Sequence, residues 1–238
     1  MKISIIVPAF NEAEIIYHNL KRIENSFNQI NYDFEKEFIV CDNNSSDETA
    51  ILAKQFGAKT VFEPFNQIAK ARNSGAKHAS GDWFVFIDAD SWPSVSLLQK
   101  MFDVIFDEQY IGGGSKVKFN HAPIWWKTGW EISNISMKLL QLTPTGAFLF
   151  CEKNAFNYLG GFNTDLFVLE DLDFVRRLRK FSRKNNKKFI ILDEPIYSSS
   201  RKAKTLGPKA FVKMAVALSK NGRNALKNRD NFPQWYDR

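Results

Sequence analysis

Two hydrophobic rhythms alternate along the first hundred residues. Short runs of consecutive apolar, β-branched or aromatic side chains recur at Ile3–Val7, Glu37–Cys41, Lys59–Phe62 and Trp83–Ile87, and read as strands. Between them the apolar positions fall at helical spacing. Ile15, Ile16, Leu20, Ile23 and Phe27 mark one face of a first helix, for which Asn11 and Glu14 stand at capping-box spacing. Ser45 and Glu48 repeat that spacing before a second helix, which Gly57 should stop. Gln67–Ala79 reads as a helix of small residues, and another helix follows Pro93. Trp83–Ile87 is apolar at every position, which predicts a strand buried on both faces at the centre of a parallel sheet. Strand alternating with helix is the signature of an α/β layer fold.

The rhythm changes after residue 110. Ile111–Phe119 and Ala147–Cys151 read as strands, separated by an irregular segment carrying Trp125, Trp126 and Trp130. A helix is predicted over Glu170–Arg183, a strand over Phe189–Leu192, and a helix over Pro208–Leu226 with proline at its start. Gly112-Gly113-Gly114 lacks the lysine and the spacing of a phosphate loop, so a close backbone approach or a strand bulge is the better reading.

Length and composition fit one large globular domain: 238 residues, 44% hydrophobic and 25% charged. Cys41 and Cys151 sit inside apolar runs and read as buried thiols rather than a disulfide. The opening MKISIIVPAF is too short and too interrupted for a signal peptide, and no apolar run is long enough to span a membrane, so a cytoplasmic protein is expected. The net charge of +7 concentrates late in the chain, at 176–188 and from Arg201 onward. A solvated basic face is the plain reading, and contact with an anionic membrane surface or a phosphorylated ligand is the sharper one.

Three polar clusters directly follow predicted strands: PAFNE at 8–12, DNNSSDET at 42–49 and DADS at 88–91. In a parallel sheet the carboxyl ends of the strands share one edge, where ligands bind. Asp88 and Asp90 stand two residues apart, about 7 Å along an ideal strand. Two such carboxylates need a cation or donors, and hard oxygen ligands suit Mg²⁺ or Mn²⁺ bridging to phosphate. A turn in which one aspartate caps the next helix is the alternative. Glu170, Asp171 and Asp173 open a predicted helix, where the dipole favours negative charge; one of them acting as a general base is the functional reading.

In their order and spacing these segments resemble the family-2 glycosyltransferases of GT-A fold, over roughly residues 2–200. ISIIVPAFNE is similar to the family's opening strand and donor loop, and VCDNNSSDET to its second nucleotide-binding loop. AKARNSGAKHASGDWFVFIDADSWPS is similar to the segment ending in the metal-binding D-x-D, and LGGFNTDLFVLEDLDFVRRLR to the one ending in the E-D base motif. The resemblance implies a single α/β GT-A domain with a mostly parallel central sheet. It would comprise a nucleotide-sugar-binding half (1–110), an acceptor and catalytic half (111–207) and a helical tail (208–238). It implies inverting transfer of a sugar from a UDP- or GDP-sugar to a glycan or lipid-linked hydroxyl.

Carried over by position, Pro8, Phe10, Glu12, Asp42, Asn44, Arg72 and Ala89 would surround the donor. Asp88 and Asp90 would hold Mg²⁺ or Mn²⁺, and Asp171, beside Glu170, would be the base. Gly160 and Gly161 would shape the acceptor loop. SSSRKAKTLG stands where processive members carry Q-x-x-R-W; Arg201 and Lys202 meeting the diphosphate, or a basic surface loop, are equal readings. The Trp-rich segment 122–142 is expected at the acceptor site. The basic helix from Pro208 is expected to pack on the domain, with peripheral membrane contact at the inner face as a secondary role. Nucleic acid is not an expected partner. A sugar-phosphate nucleotidylyltransferase and a non-enzymatic module for anionic ligands are the competing readings.

Overall fold

The computed structural model describes residues 1–120, 146–199, 222–232 and 236. Eight strands form one sheet in the order β3-β2-β1-β4-β7-β6-β8-β5. β1 (Lys2–Ala9), β2 (Glu35–Asp42), β3 (Lys59–Phe62) and β4 (Trp83–Ile87) run parallel, each at or near its predicted position. β7 (Phe148–Glu152) adds antiparallel to β4, and β6 (Tyr110–Asn120) lies antiparallel beyond it. β8 (Lys188–Ser199) is parallel to β6 and longer than its apolar core predicts; the two-residue β5 (Ser91–Trp92) pairs antiparallel with it. The sheet is thus α/β and mostly parallel. β4 is central and buried at all five positions, parallel to one neighbour and antiparallel to the other.

Strand periodicity sorts the core into two layers. Ile3, Ile5 and Val7 of β1 pack with α1 (Ile16–Asn28) and α4 (Val95–Phe106). Ile6 and the even positions Phe84 and Phe86 face the opposite layer, made by α3 (Ile68–Lys77), α5 (Lys153–Tyr158) and α6 (Glu170–Lys184). That second layer is aromatic: Phe86, Phe156, Phe162 and Phe174 meet in sequence at centroid distances of 4.7–5.8 Å. It presses α6 against the strand that leads to Asp88.

The helix starts depart from the predicted capping boxes. α1 begins at Ile16 with no side-chain cap, and Asn11 takes a left-handed φ of 51°. Its N–H donates to Ser45 Oγ at 3.0 Å and its Oδ1 accepts from Ser46 N at 2.8 Å, so tertiary contact between two loops displaces the local cap. α2 (Thr49–Phe56) likewise starts without Ser45; Asp47 accepts from Thr49 N instead. Gly57 does end α2 in the left-handed region, at φ 100°. The two cysteines are buried and unbridged. At Gly112 an added Cβ would come within 2.5 Å of the Phe150 carbonyl oxygen, and the β6–β8 register slips between Tyr110 and Gly112, so both the close approach and the bulge are present.

The Trp-rich segment 122–142, Arg201 and Lys202 lie outside the described residues, as does the predicted helix Pro208–Leu226 up to residue 221. Gly222–Lys227 forms a 3₁₀ helix. Among the described residues no helix is long and apolar enough to cross a membrane.

Candidate active site

The strand order reverses between β1 and β4, and the loops leaving their carboxyl ends diverge to open a crevice, the usual ligand position of such sheets. A cleft lies there, lined by Pro8, Ala9, Phe10, Glu12, Asn43, Asn66, Ile68, Asp88, Ala89 and Tyr236. Five sequence-predicted residues therefore share one wall: Pro8, Phe10, Glu12, Asp88 and Ala89. Glu12 is buried and its N–H donates to Thr49 Oγ1 at 2.8 Å, which ties the first loop to α2.

Asp42 is buried just behind the cleft, where its Oδ1 accepts from Ser45 N at 3.2 Å. Asn44 is exposed with a left-handed φ of 65°, and it is the preceding residue, Asn43, that reaches the cleft. Asn43 is held by its N–H to Ala9 O at 2.8 Å and by its amide to Phe65 O. A D-N-N-S run without glycine leaves either asparagine free to make the turn, so sequence alone did not separate them.

Asp88 and Asp90 leave β4 in a turn closed by Ser91 N donating to Asp88 O at 2.9 Å. The turn expected of the alternative reading is present, but neither aspartate caps the next helix: Ser94 does, accepting from Leu97 N at 3.1 Å. Buried Asn19 of α1 holds the turn from beneath, its amide donating to the Ala89 and Ser91 carbonyls at 2.8 Å each. Asp88 has a partly open carboxylate toward the cleft, whereas Asp90 is 1% exposed. Among the described residues no group of three His, Cys, Asp or Glu side chains could hold a metal by itself. Two aspartates nevertheless fit Mg²⁺ or Mn²⁺, because such cations are commonly held by one or two carboxylates with substrate phosphates and water completing the shell.

Arg72 joins this turn to the acid pair opening α6. Its Nη1 donates to Glu170 Oε1 at 2.5 Å, and its Nη2 to Asp88 Oδ1 at 3.1 Å and to Gly146 O at 2.8 Å. The guanidinium is 2% exposed and sits 5.2 Å from the Phe162 ring centre. Burial opposes its charge, but Glu170, Asp88 and Asp171 together hold its pKa above the ordinary value. Burial pushes Glu170 up to about 7 against the pull of Arg72, with Asp171 adding to the rise. Asp171 is raised by the same burial, again against Arg72, with Asp88 pushing the same way. An added Cβ at Gly146 would come within 2.7 Å of Asp171 Oδ2, so a side chain there would require that carboxylate to move.

Leu169, the residue before the pair, is left-handed at φ 62° and 39% exposed, a conformation that costs a leucine energy and turns the chain sharply into α6. Asp173 instead accepts from Arg177 Nε at 2.8 Å, one turn on. Arg177 also donates to the Leu159 and Gly161 carbonyls. Asn73 pairs with the backbone of Phe162 in both directions. These contacts pin the Gly160-Gly161 turn, whose φ values are 71° and 72°. The sequence reading missed Asn19, Asn66, Ile68, Gly146 and Tyr236, and assigned the donor contact to Asn44 rather than its neighbour Asn43. Only Gly146, a glycine directly before a predicted strand, carried a local signal.

Residues 4–162, two thirds of the chain, match the sequence model of Glycosyl transferase family 2. The dolichol-phosphate mannosyltransferase of Pyrococcus furiosus is 31% identical over 121 residues, 49% of this chain and 33% of that protein. A Mycoplasma pneumoniae glycosyltransferase, the MG060 homolog, is 26% identical over 206 residues, 75% of this chain and 65% of its own length. The matched segments therefore span a third to two thirds of these relatives. Among solved structures, mannosyltransferase PcManGT from Pyrobaculum calidifontis, in complex with GDP-Man and Mn²⁺, superposes with a TM-score of 0.64 at 18% identity, covering 98% of this chain and 72% of that one. S. aureus TarS with UDP-GlcNAc also gives 0.64, at 19% identity, over 99% of this chain and 78% of its own. Both likenesses are of fold.

Proposed function

The chain belongs to glycosyl transferase family 2, and from that premise we propose that it transfers a sugar from a UDP- or GDP-sugar to a hydroxyl of a glycan or lipid-linked acceptor, with inversion. The observation that carries this reading is the Arg72 bridge, which sets the Asp88 carboxylate at the cleft wall next to the Glu170–Asp171 pair. A single displacement requires a base for the acceptor hydroxyl and stabilisation of the leaving diphosphate, and the bridge sets candidates for both side by side.

In this reading residues 1–110 bind the donor and 111–207 meet the acceptor. Pro8, Phe10, Glu12 and Asn43 flank the nucleotide, and Asp42 accepts a hydrogen bond from the base. Asp88 and Asp90 would hold Mg²⁺ or Mn²⁺, which when bound would supply positive charge against the diphosphate leaving group. Asp171 takes the proton of the acceptor hydroxyl as its oxygen bonds to the anomeric carbon and the bond to the diphosphate breaks. Its raised pKa suits that role, because a base binds the proton better as its pKa approaches the working pH. Arg72 keeps the neighbouring Glu170 paired, so that one defined carboxylate of the two faces the reaction. The lipid-linked acceptor class is supported by the name of the Pyrococcus furiosus relative.

The test is release of nucleoside diphosphate from UDP- and GDP-sugars with Mn²⁺, with Mg²⁺ and with chelator, for the wild type and Asp171→Asn. Hydrolysis or transfer should need the metal, and the variant should lose about 10²–10⁴-fold in turnover while binding the donor normally by calorimetry. Undiminished turnover in chelator removes the metal from the reading. Donor affinity falling as steeply as turnover makes Asp171 a donor ligand.

A further inference from the structure

Tyr236 stands 170 residues from Asn66 in the sequence, yet Asn66 Nδ2 donates to its carbonyl at 3.2 Å. The Tyr236 hydroxyl donates to Phe167 O, in the loop that runs into α6, and the two rings meet edge-on at 5.6 Å. Arg229 holds the residue from a third side, its guanidinium 5.5 Å from the ring centre. The residue is 4% exposed and belongs to the cleft lining with Ile68, Asp88 and Ala89. Burial, with the nearby Glu170 carboxylate, pushes the phenol above its usual range.

The position of this ring goes beyond packing. The other walls of the cleft come from the first ninety residues, on the loops after β1, β2 and β4 and at the start of α3. Among the described residues, Tyr236 and Phe10 are the aromatic members of this lining. Aromatic faces stack on nucleobases and on the apolar faces of sugar rings with little dependence on sequence or substituent. The hydroxyl of the same residue anchors the loop that delivers Leu169, Glu170 and Asp171. One side chain thus touches both the space a donor would fill and the support of the base.

We propose that Tyr236 is a donor-positioning residue, its ring forming a wall of the nucleotide-sugar cleft and its hydroxyl fixing the loop that carries Asp171. The proposal rests on the reading of this cleft as the nucleotide-sugar site. The two functions separate by substitution. Tyr236→Phe keeps the ring and loses the tie to Phe167, whereas Tyr236→Leu loses the aromatic face and keeps most of the volume.

Calorimetry with UDP and with GDP, each with Mn²⁺, reads the first function without turnover. Tyr236→Leu should weaken binding of whichever nucleotide the wild type binds by about tenfold, while Tyr236→Phe stays within about twofold. In donor-saturation kinetics Tyr236→Phe should leave the donor KM unchanged and lower kcat by about tenfold, the size of an effect that loosens the positioning of a base. Binding by Tyr236→Leu within twofold of the wild type overturns the proposal, as does an equal loss in Tyr236→Phe. A kcat for Tyr236→Phe equal to the wild type overturns the positioning half. A wild type that binds neither nucleotide overturns the reading of the cleft itself, a distinct result. Should Tyr236→Leu fail to fold, judged by thermal unfolding without ligand, Tyr236→Met, whose unbranched side chain adapts to fill a gap, takes its place.

Discussion

At the scale of the residue, Arg72 is the side chain on which the site depends. It is a buried cation that makes hydrogen bonds to two carboxylates and a carbonyl, contributed by the turn after β4, by α6 and by the turn before β7. Such ion pairs add little net stability over a well-packed apolar core, but removing one partner leaves a buried charge uncompensated. Arg72→Met should therefore lower unfolding stability by about 3–5 kcal/mol in urea titrations. Adding Glu170→Gln to that variant should recover part of the loss, because the orphaned carboxylate is then gone; a double variant no more stable than Arg72→Met would mean that Glu170 does not carry the penalty. The arginine was assigned from the sequence only as a neighbour of the donor. Its partners lie 16 and 98 residues away, a distance over which no local pattern speaks.

At the scale of the element, α6 is delivered to the site by aromatic packing. Phe174 is fully buried on its inner face, 4.7 Å from Phe162 and 5.3 Å from Phe156 by ring centroids, and those rings in turn contact Phe86 of β4. Cutting this contact creates a cavity between the strand that bears Asp88 and the helix that bears Asp171. Phe174→Ala should cost about 3–5 kcal/mol in chemical denaturation, and a loss below about 1 kcal/mol would show that the layer collapses to fill the gap. The helix itself was legible, since its apolar spacing and acidic first turn predicted it to within a residue at its carboxyl end. The α1 and α2 caps were not. Their capping-box spacing is real, but Asn11, Ser45 and Ser46 satisfy one another across two loops, and a contact between loops cannot be read from either alone.

At the scale of the whole molecule, the sheet has one edge for chemistry and the opposite one for stability. At the amino ends of the strands, Glu37 of β2 accepts from Ser4 Oγ of β1 at 2.6 Å and from Ser80 N and Oγ at 2.6 and 2.9 Å, in the turn before β4. Burial alone would raise its pKa, but these hydrogen bonds, with Lys2 nearby, bring it down to about 2 from an ordinary 4.5. A carboxylate with a depressed folded-state pKa stabilises fully above its unfolded value and loses that contribution as pH falls toward the folded one. Glu37→Gln should thus lower stability by about 1–3 kcal/mol at pH 7, and the gap to the wild type should close between about pH 4.5 and pH 2. Thermal unfolding across that range checks it. A gap that stays constant with pH would trace the loss to packing rather than to the charge. Donor binding at the far edge should not change.

What the sequence determined by itself was the run of apolar and polar positions along each element. The apolar runs and helical stripes defined most strands and helices, though not the short helix Lys153–Tyr158 or the strand Ser91–Trp92, and the polar clusters after β1, β2 and β4 followed from strand ends. The resemblance built on those clusters pointed to the family to which residues 4–162 belong. Tertiary structure alone decided which side chains meet. It brought Asn43 rather than Asn44 to the cleft, set Asn19 under the Asp88–Asp90 turn, placed Gly146 against Asp171, and returned Tyr236 to the wall begun by Pro8. Periodicity reports the direction a side chain takes from its own element. The partner it finds depends on the path of the chain over tens to hundreds of residues, and that path is settled by the packing of the whole core.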